Sequence, residues 1–308
     1  MSGVLVTGAS GFLGLPLVRE LAADGEEVHA LSRHPADEEL EGVRWHRLDM
    51  LDPDAVRRVV QEVRAERLVH LAWFVSHGQF WSATENVDWV QASLGLLRAF
   101  AAAGGQRALL VGSCAEYAWG GEGDLDEADS PLDPQSLYGV CKDALRRIAV
   151  AYASEAGTEL AWARLFFLYG PREQPARLVP AVIRSLLAGE RVATGTGEQV
   201  RDLMHVHDAA AALAAVLDSG LVGPVNVASG RATELGEVLD LIGSLTGAGE
   251  LIERGAREPA GSDPARIVAR VQRLEREVGF RPSLSLSEGL AATVDWWREV
   301  ERAPTARP

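Results

Sequence analysis

Apolar residues in the first half of the chain fall into short continuous runs, each followed by a longer stretch with helical spacing. Val4 to Val6 form the first run, and an apolar helical pattern follows from Phe12 through Leu17 to Leu21. Carried along the sequence, this reading predicts strands near 3–7, 26–31, 43–48, 67–72, 107–112 and 159–166. Helices are predicted near 12–23, 53–64, 84–103 and 136–155. Strands that alternate with helices imply an α/β fold, a doubly wound parallel sheet covered on both faces. Ligands of such a sheet bind beyond the carboxyl ends of its strands. Thr7, Ser32, Asp49, Ala72, Ser113 and Phe166 all fall at or near those ends. After Gly170-Pro171 the pattern is less regular, with helices near 177–188, 207–218, 234–246 and 286–300 and a short strand near 224–228.

Between the first strand and the first helix stand Gly8, Gly11 and Gly14. A glycine turn in that context cradles a dinucleotide: Gly8 permits the tight turn, Gly11 lets the backbone approach a pyrophosphate, and Gly14 lets helix and strand pack closely. The phosphates would sit at the positive end of the helix dipole. The expected division is therefore a dinucleotide-binding domain over 1–170, with 205–230 returning to it. Residues 171–308 form mostly a smaller substrate-binding lobe. A second signal is the pair Tyr138 and Lys142, whose spacing places both on one face of the helix near 136–155. An ammonium beside a phenol favours the phenolate, which makes Tyr138 a candidate general acid or base.

The run Thr7-Gly8-Ala9-Ser10-Gly11-Phe12-Leu13-Gly14 resembles the short-chain dehydrogenase/reductase superfamily, in its extended nucleotide-sugar-modifying branch, the NAD-dependent epimerase/dehydratase family. The resemblance continues through His70-Leu71-Ala72, Glu85-Asn86-Val87, Tyr138-Gly-Val-Cys-Lys142, Arg164 to Pro171, Arg201-Asp202 to Val206, and Pro224 to Gly230. It implies a Rossmann fold and a catalytic set of Ser113, Tyr138 and Lys142. In that set Ser113 orients a substrate carbonyl and Lys142 holds the nicotinamide ribose. The cofactor would lie along Gly8, Ser10, Gly11, Phe12, Leu13 and Gly14, against Ser32 and Arg33, beside Asp49 and Met50, and over Leu71, Ala72 and Trp73. Asp49 matches the family aspartate that meets adenine, whereas Asp52 before Pro53 suits a helix N-cap.

Cofactor choice turns on Ser32-Arg33, where a carboxylate would select NAD and a basic residue can pair with a 2′-phosphate. With no carboxylate there, NADP is expected, although Arg33 stacked on adenine would leave NAD possible. Dehydratases of the family carry Asp-Glu directly after the Ser113 position; here stand Cys114 and Ala115, so elimination of water is not expected. Glu116, one residue later, is expected to point elsewhere. The expected activity is an NADP-dependent reductase of a nucleotide-linked 4-keto-6-deoxyhexose, with Tyr138 as general acid. The alternative is a nucleotide-sugar 4-epimerase with tightly bound NAD, and a further reading is a non-catalytic dinucleotide sensor. The substrate, a nucleotide-diphosphate sugar, is expected to meet His77, Cys114 and Phe167, the last in place of the family asparagine. Its diphosphate would meet Arg201, and also Arg177 and Arg266 unless these are only solvated charges. The aromatic loop from Trp73 to Trp81 either stacks on the ligand or packs as a hydrophobic lid.

Composition narrows the setting. A net charge of −14 lacks the basic footprint of a nucleic-acid surface. No apolar run approaches the roughly 18 residues that span a bilayer, and the N-terminus reads as a strand rather than a signal peptide. Cys114 and Cys141 make no disulfide framework and have no metal-ligand spacing, so no metal and a reducing cytoplasm are expected. Relatives of the branch often dimerise through the helices here expected at 84–103 and 136–155, which makes a homodimer the expected assembly.

Overall fold

Alternation along the strands decides the layers. In β1 (Val4–Thr7), Val4 and Val6 enter one hydrophobic core while Leu5 enters a second on the opposite face. Ala108 and Leu110 likewise part from Leu109 and Val111 in β5 (Arg107–Ser113), as Leu160 and Trp162 part from Ala161 and Ala163 in β6 (Glu159–Leu165). Strands apolar on both faces must be covered on both, which is why the sheet is parallel and doubly wound. The computed structural model describes residues 3–36, 39–121, 123–258 and 263–302.

The remaining strands are β2 (Val28–Ser32), β3 (Val43–Arg47), β4 (Arg67–His70), four short strands β7 (Phe167–Tyr169), β8 (Val192–Ala193), β9 (Val200–Arg201) and β10 (Leu203–His205), then β11 (Gly223–Val227) and the two-residue strands β12 (Thr233–Glu234), β13 (Ile252–Glu253) and β14 (Arg266–Ile267), with a short helix α8 (Gln272–Arg276) after them. Seven of them form the main sheet in the order β11-β6-β5-β4-β1-β2-β3, every pair parallel. Val4 lies opposite both Val28 and Arg67, so β1 sits where the strand order reverses. That reversal opens a crevice at the carboxyl ends of β1 and β4.

Helix α1 (Gly14–Ala23) packs with α6 (Val206–Asp218) on one face. On the other lie α2 (Pro53–Val63), α3 (Glu85–Ala102) and α4 (Leu137–Ala156). Asp52 accepts hydrogen bonds from the N–H groups of Asp54 and Ala55 and so caps α2, with Pro53 in its first turn. A third core joins α5 (Leu178–Leu187), α7 (Leu235–Thr246) and α9 (Leu286–Arg302) into the smaller C-terminal α/β lobe, around Ile183, Ile242 and Trp297. No helix among the described residues is long and apolar enough to cross a membrane.

Candidate active site

The crevice is a cavity of about 470 Å³ that runs from the glycine turn to Tyr138. Its first end is set by backbone. Gly8 has φ +69°, and a Cβ there would come within 2.9 Å of the Ala72 nitrogen. A Cβ on Gly14 would overlap the Gly8 carbonyl oxygen and lie 2.9 Å from Ala9, so β1 and α1 approach only because it is glycine. One on Gly11 would meet only the Gly8 oxygen, at 3.1 Å, and Gly11 is exposed on the cavity side. The first turn of α1 has no side-chain cap; Leu15 N–H donates to the Gly11 carbonyl and Pro16 carries no N–H, so it is the positive end of the helix at Phe12, Leu13 and Gly14 that faces the cavity for an anion. This cradle fits the diphosphate of a dinucleotide.

His70 ties this end to the centre. Ser93 donates to the Trp89 carbonyl at 2.6 Å, so its hydroxyl oxygen accepts from His70 Nε2 at 2.8 Å. Nδ1 then accepts from the Thr7 hydroxyl at 2.7 Å. Burial, with the Lys142 charge adding to it, pulls His70 down to about 3 and keeps it neutral.

Ser113, Tyr138 and Lys142 converge at the other end. Ser113 stands at the tip of β5, where its N–H donates to Glu116 Oε1 at 2.8 Å and its hydroxyl accepts from Ala115 N–H at 3.2 Å. Its side chain lies close enough to the Tyr138 phenol to pull the phenol's proton affinity down. Glu116 is fully buried, held by Trp162 Nε1 and by Arg164 Nε at 2.8 Å, and does not line the cavity. Lys142 does not lie against the Tyr138 phenol as the four-residue spacing suggested. Its Nζ donates to the Val111 carbonyl at 2.8 Å and rides 3.7 Å from the Trp73 ring centre, against 6.0 Å for Tyr138. Burial pulls Lys142 down to about 7 against the opposing pull of Glu116. Burial also raises the Tyr138 phenol above its ordinary range, with Ser113 and Arg177 pulling back. The expected lowering of Tyr138 is thus reversed in the free protein, because desolvation outweighs a cation that has itself been desolvated.

Around Tyr138 the aromatic loop both lines the cavity and packs as a lid. The rings of Phe80 and Trp81 meet Tyr138 edge-on at 5.1 and 5.8 Å, and the Tyr138 N–H donates to the Trp81 carbonyl. Buried Asn86, in the first turn of α3, pins the lid by donating to the carbonyls of Phe80 and Ala83 and accepting from Trp73 Nε1. Ser10, Phe12, Leu13, Ser32, Arg33, Asp49, Met50, Leu71, Ala72, Trp73, Cys114, Phe167 and Arg177 also line the cavity.

Three expected substrate residues do not. His77 is exposed on the lid. Arg201 is buried, donating to its own strand at the Val200 carbonyl and to Asp263 at 2.6 Å. Arg266 is held by Asp124 at 2.6 Å. For both arginines a carboxylate distant in sequence satisfies the guanidinium. Arg177 is at the Tyr138 end, where its Nε donates to Glu173 at 2.8 Å. Glu173 belongs to no motif, and its one signal in the sequence is a carboxylate just after the Gly170-Pro171 turn.

A parallel sheet with a glycine cradle at its switch point and a Ser-Tyr-Lys set opposite defines a nicotinamide-dinucleotide-dependent enzyme. The chain matches the profile of the NAD dependent epimerase/dehydratase family over residues 4–228 and belongs to that family. It is 32% identical over 317 residues to a dTDP-glucose 4,6-dehydratase of Streptomyces griseus, covering 96% of this chain and 94% of that protein. Among solved structures it is similar to the UDP-glucose 4-epimerase of Thermus thermophilus in complex with NAD, with TM-score 0.86, 29% identity and coverage of 96% and 98%. It is also similar to MoeE5 in complex with UDP-glucuronic acid and NAD, with TM-score 0.85, 30% identity and coverage of 97% and 100%.

These relatives correct two expectations. Where a dinucleotide is present it is NAD, and the reactions are epimerisation and dehydration, so the NADP-dependent reductase reading is overturned. The site supplies the reason. The Ser32 hydroxyl is already engaged, bonded to Ser10 Oγ and donating to the His34 carbonyl. Arg33 is the one lysine or arginine lining that end among the described residues, and the Asp49 carboxylate lines it too. The Asp49 carboxylate opposes a second anion at that end, and no further lysine or arginine among the described residues lining it offsets that charge.

Proposed function

We propose that this protein is an NAD-dependent nucleotide-sugar 4-epimerase. The observation that carries the reading is the neighbourhood of Ser113. A proton-handling set of Ser113, Tyr138 and Lys142 faces the cavity, while Cys114-Ala115 offers no carboxylate and Glu116 is turned into the core. Such a site can move a proton at one carbinol oxygen, but it lacks the acid and base that would remove water from the neighbouring carbons.

Gly8, Gly11, Gly14 and the first turn of α1 would hold the NAD diphosphate, with Asp49 and Met50 at the adenine end and Leu71, Ala72 and Trp73 under the chain. NAD bound there would supply the hydride acceptor and donor. Tyr138 takes the proton of the sugar 4-hydroxyl and later returns it to the 4-keto oxygen, and Ser113 holds that oxygen between the two events. Lys142, fixed by Val111 and Trp73 with its ammonium 6.0 Å from the Tyr138 ring centre, would favour the phenolate through space rather than by contact. Phe80, Trp81 and Asn86 close the lid and exclude water. Residues 1–170, with 205–230, would bind the dinucleotide, and 171–308 would hold mostly the sugar nucleotide. Val87, Val140 and Ile148 are exposed apolar positions on α3 and α4 that suit a homodimer through these helices. The reaction and its cofactor suit the cytoplasm.

The test is to incubate the purified protein, without added cofactor, with UDP- and dTDP-hexoses and to follow the anomeric protons by NMR. Interconversion of 4-epimers and NAD released on denaturation are expected. Accumulation of a 4-keto-6-deoxy product, or protein free of NAD, would overturn the reading.

A further inference from the structure

Glu173 is a carboxylate at the Tyr138 end that the proton transfers do not use. It lines the cavity, is 3% exposed, and one of its oxygens, Oε2, is buried without a hydrogen-bond partner. Its other oxygen accepts from Arg177 Nε at 2.8 Å. We propose that the Glu173–Arg177 pair selects a sugar that is uncharged at C6 and excludes hexuronates. This rests on the nucleotide-sugar reading above and names the substrate class within it.

Charge and hydrogen-bond partners set the preference. Among the described residues the lysines and arginines lining this end are Lys142 and Arg177. Lys142 is committed to the Val111 carbonyl and the Trp73 ring. Arg177 is committed to Glu173, which burial pushes up to about 7 against the pull of Arg177, so that at pH 8 its charge cancels that of Arg177. Arg201, a guanidinium that could serve a second anion, is closed by Asp263 and packs its charge 5.5 Å from the Phe167 ring. A sugar carboxylate brought here would find no cation without a partner, and would share the cavity with the Glu173 carboxylate and a wall that includes Trp73, Phe80 and Trp81. Such a wall cannot solvate it, and an uncompensated charge in it is costly. A neutral hexose presents the opposite chemistry. Its hydroxyls are donors for an acceptor such as Glu173 Oε2, and its C–H face suits aromatic rings.

The pair also shows how the preference can be undone. Glu173→Gln keeps the size of the side chain, removes the negative charge and releases Arg177 for bidentate contact with a carboxylate. The experiment is calorimetric titration of the NAD-loaded protein at pH 8 with UDP-glucose and with UDP-glucuronic acid, which reads binding apart from turnover. The wild type is expected to bind the uronate about tenfold or more weakly, the size of one unfavourable charge contact. Glu173→Gln should bring the two affinities within about threefold, and Arg177→Gln, which leaves the carboxylate alone, should widen the gap. Equal affinities in the wild type would overturn the proposal, as would a gap that both substitutions leave unchanged. Failure to bind UDP-glucose or dTDP-glucose at all would instead sink the nucleotide-sugar reading itself.

Discussion

The two ends of the cavity are built by different means. At the glycine turn the walls are backbone: Gly8, Gly14 and the start of α1 touch so closely that a single methyl group does not fit. At the Tyr138 end the walls are side chains from four separate segments: the lid at Phe80 and Trp81, the β5 tip at Ser113, α4, and the loop carrying Glu173 and Arg177. A backbone-built end can do one thing, hold a diphosphate, and tolerates little change. A side-chain-built end can be reassigned by substitution without moving the chain. This contrast suits relatives that share the fold and differ in reaction, a 4-epimerase and a 4,6-dehydratase among them.

The largest effect expected from this contrast is at Tyr138. Tyr138→Phe removes only the hydroxyl that carries the proton and leaves the ring that packs on Phe80 and Trp81. Turnover should fall by about 10³-fold, within the range that a positioned acid or base supplies, while the NAD content of the purified protein stays at the wild-type level. Loss of NAD together with activity would show that the two ends are not separable in this way.

At the other end the comparison predicts damage to the fold itself. Gly14→Ala forces a Cβ onto the Gly8 oxygen and Ala9, so α1 must move off β1. A cost of about 3 kcal/mol is expected, as for overpacking of a tight interior contact, read as a lowered midpoint in thermal unfolding. Gly11→Ala meets only one oxygen, at 3.1 Å, and should leave stability nearly unchanged while weakening NAD. If the two variants unfolded alike, the close approach would not be what fixes this end.

The same contrast explains what could be read in the sequence. The glycine spacing, the strand runs and the Tyr138–Lys142 interval are local patterns, and local geometry enforces them. Ser113 was legible because the end of a strand fixes its place. Arg201 and Arg266 stand off the cavity because their guanidinium groups pair with Asp263 and Asp124, 62 and 142 residues away in sequence. Arg33 misled because a basic residue at a strand end does not by itself choose the cofactor: the similar solved structures hold NAD, and here the Asp49 carboxylate lines the same end as Arg33. Glu173 carried no pattern at all. Its significance comes from burial and from its partner Arg177, and neither is a property of its position in the chain.

His70 joins the two ends through Thr7 and Ser93, and its protonation should loosen both. In the folded protein its pKa is about 3, against 6.5 when unfolded. As pH falls below 6.5 the unfolded chain takes up this proton first, so stability present in full above 6.5 is lost progressively towards 3. For one such site the slope approaches about 1.4 kcal/mol per pH unit, and about 1 kcal/mol per unit is expected between pH 6 and 5. His29, His46 and His205 are also lowered by burial, so the wild-type slope alone does not isolate His70. His70→Gln keeps a donor and an acceptor but cannot titrate. Urea unfolding of both proteins at pH 7, 6 and 5 should therefore show a shallower loss for the variant, by about one proton's worth of slope. Parallel curves would mean that His70 takes up its proton without breaking either bond, and that the two ends of the cavity are held together by something else.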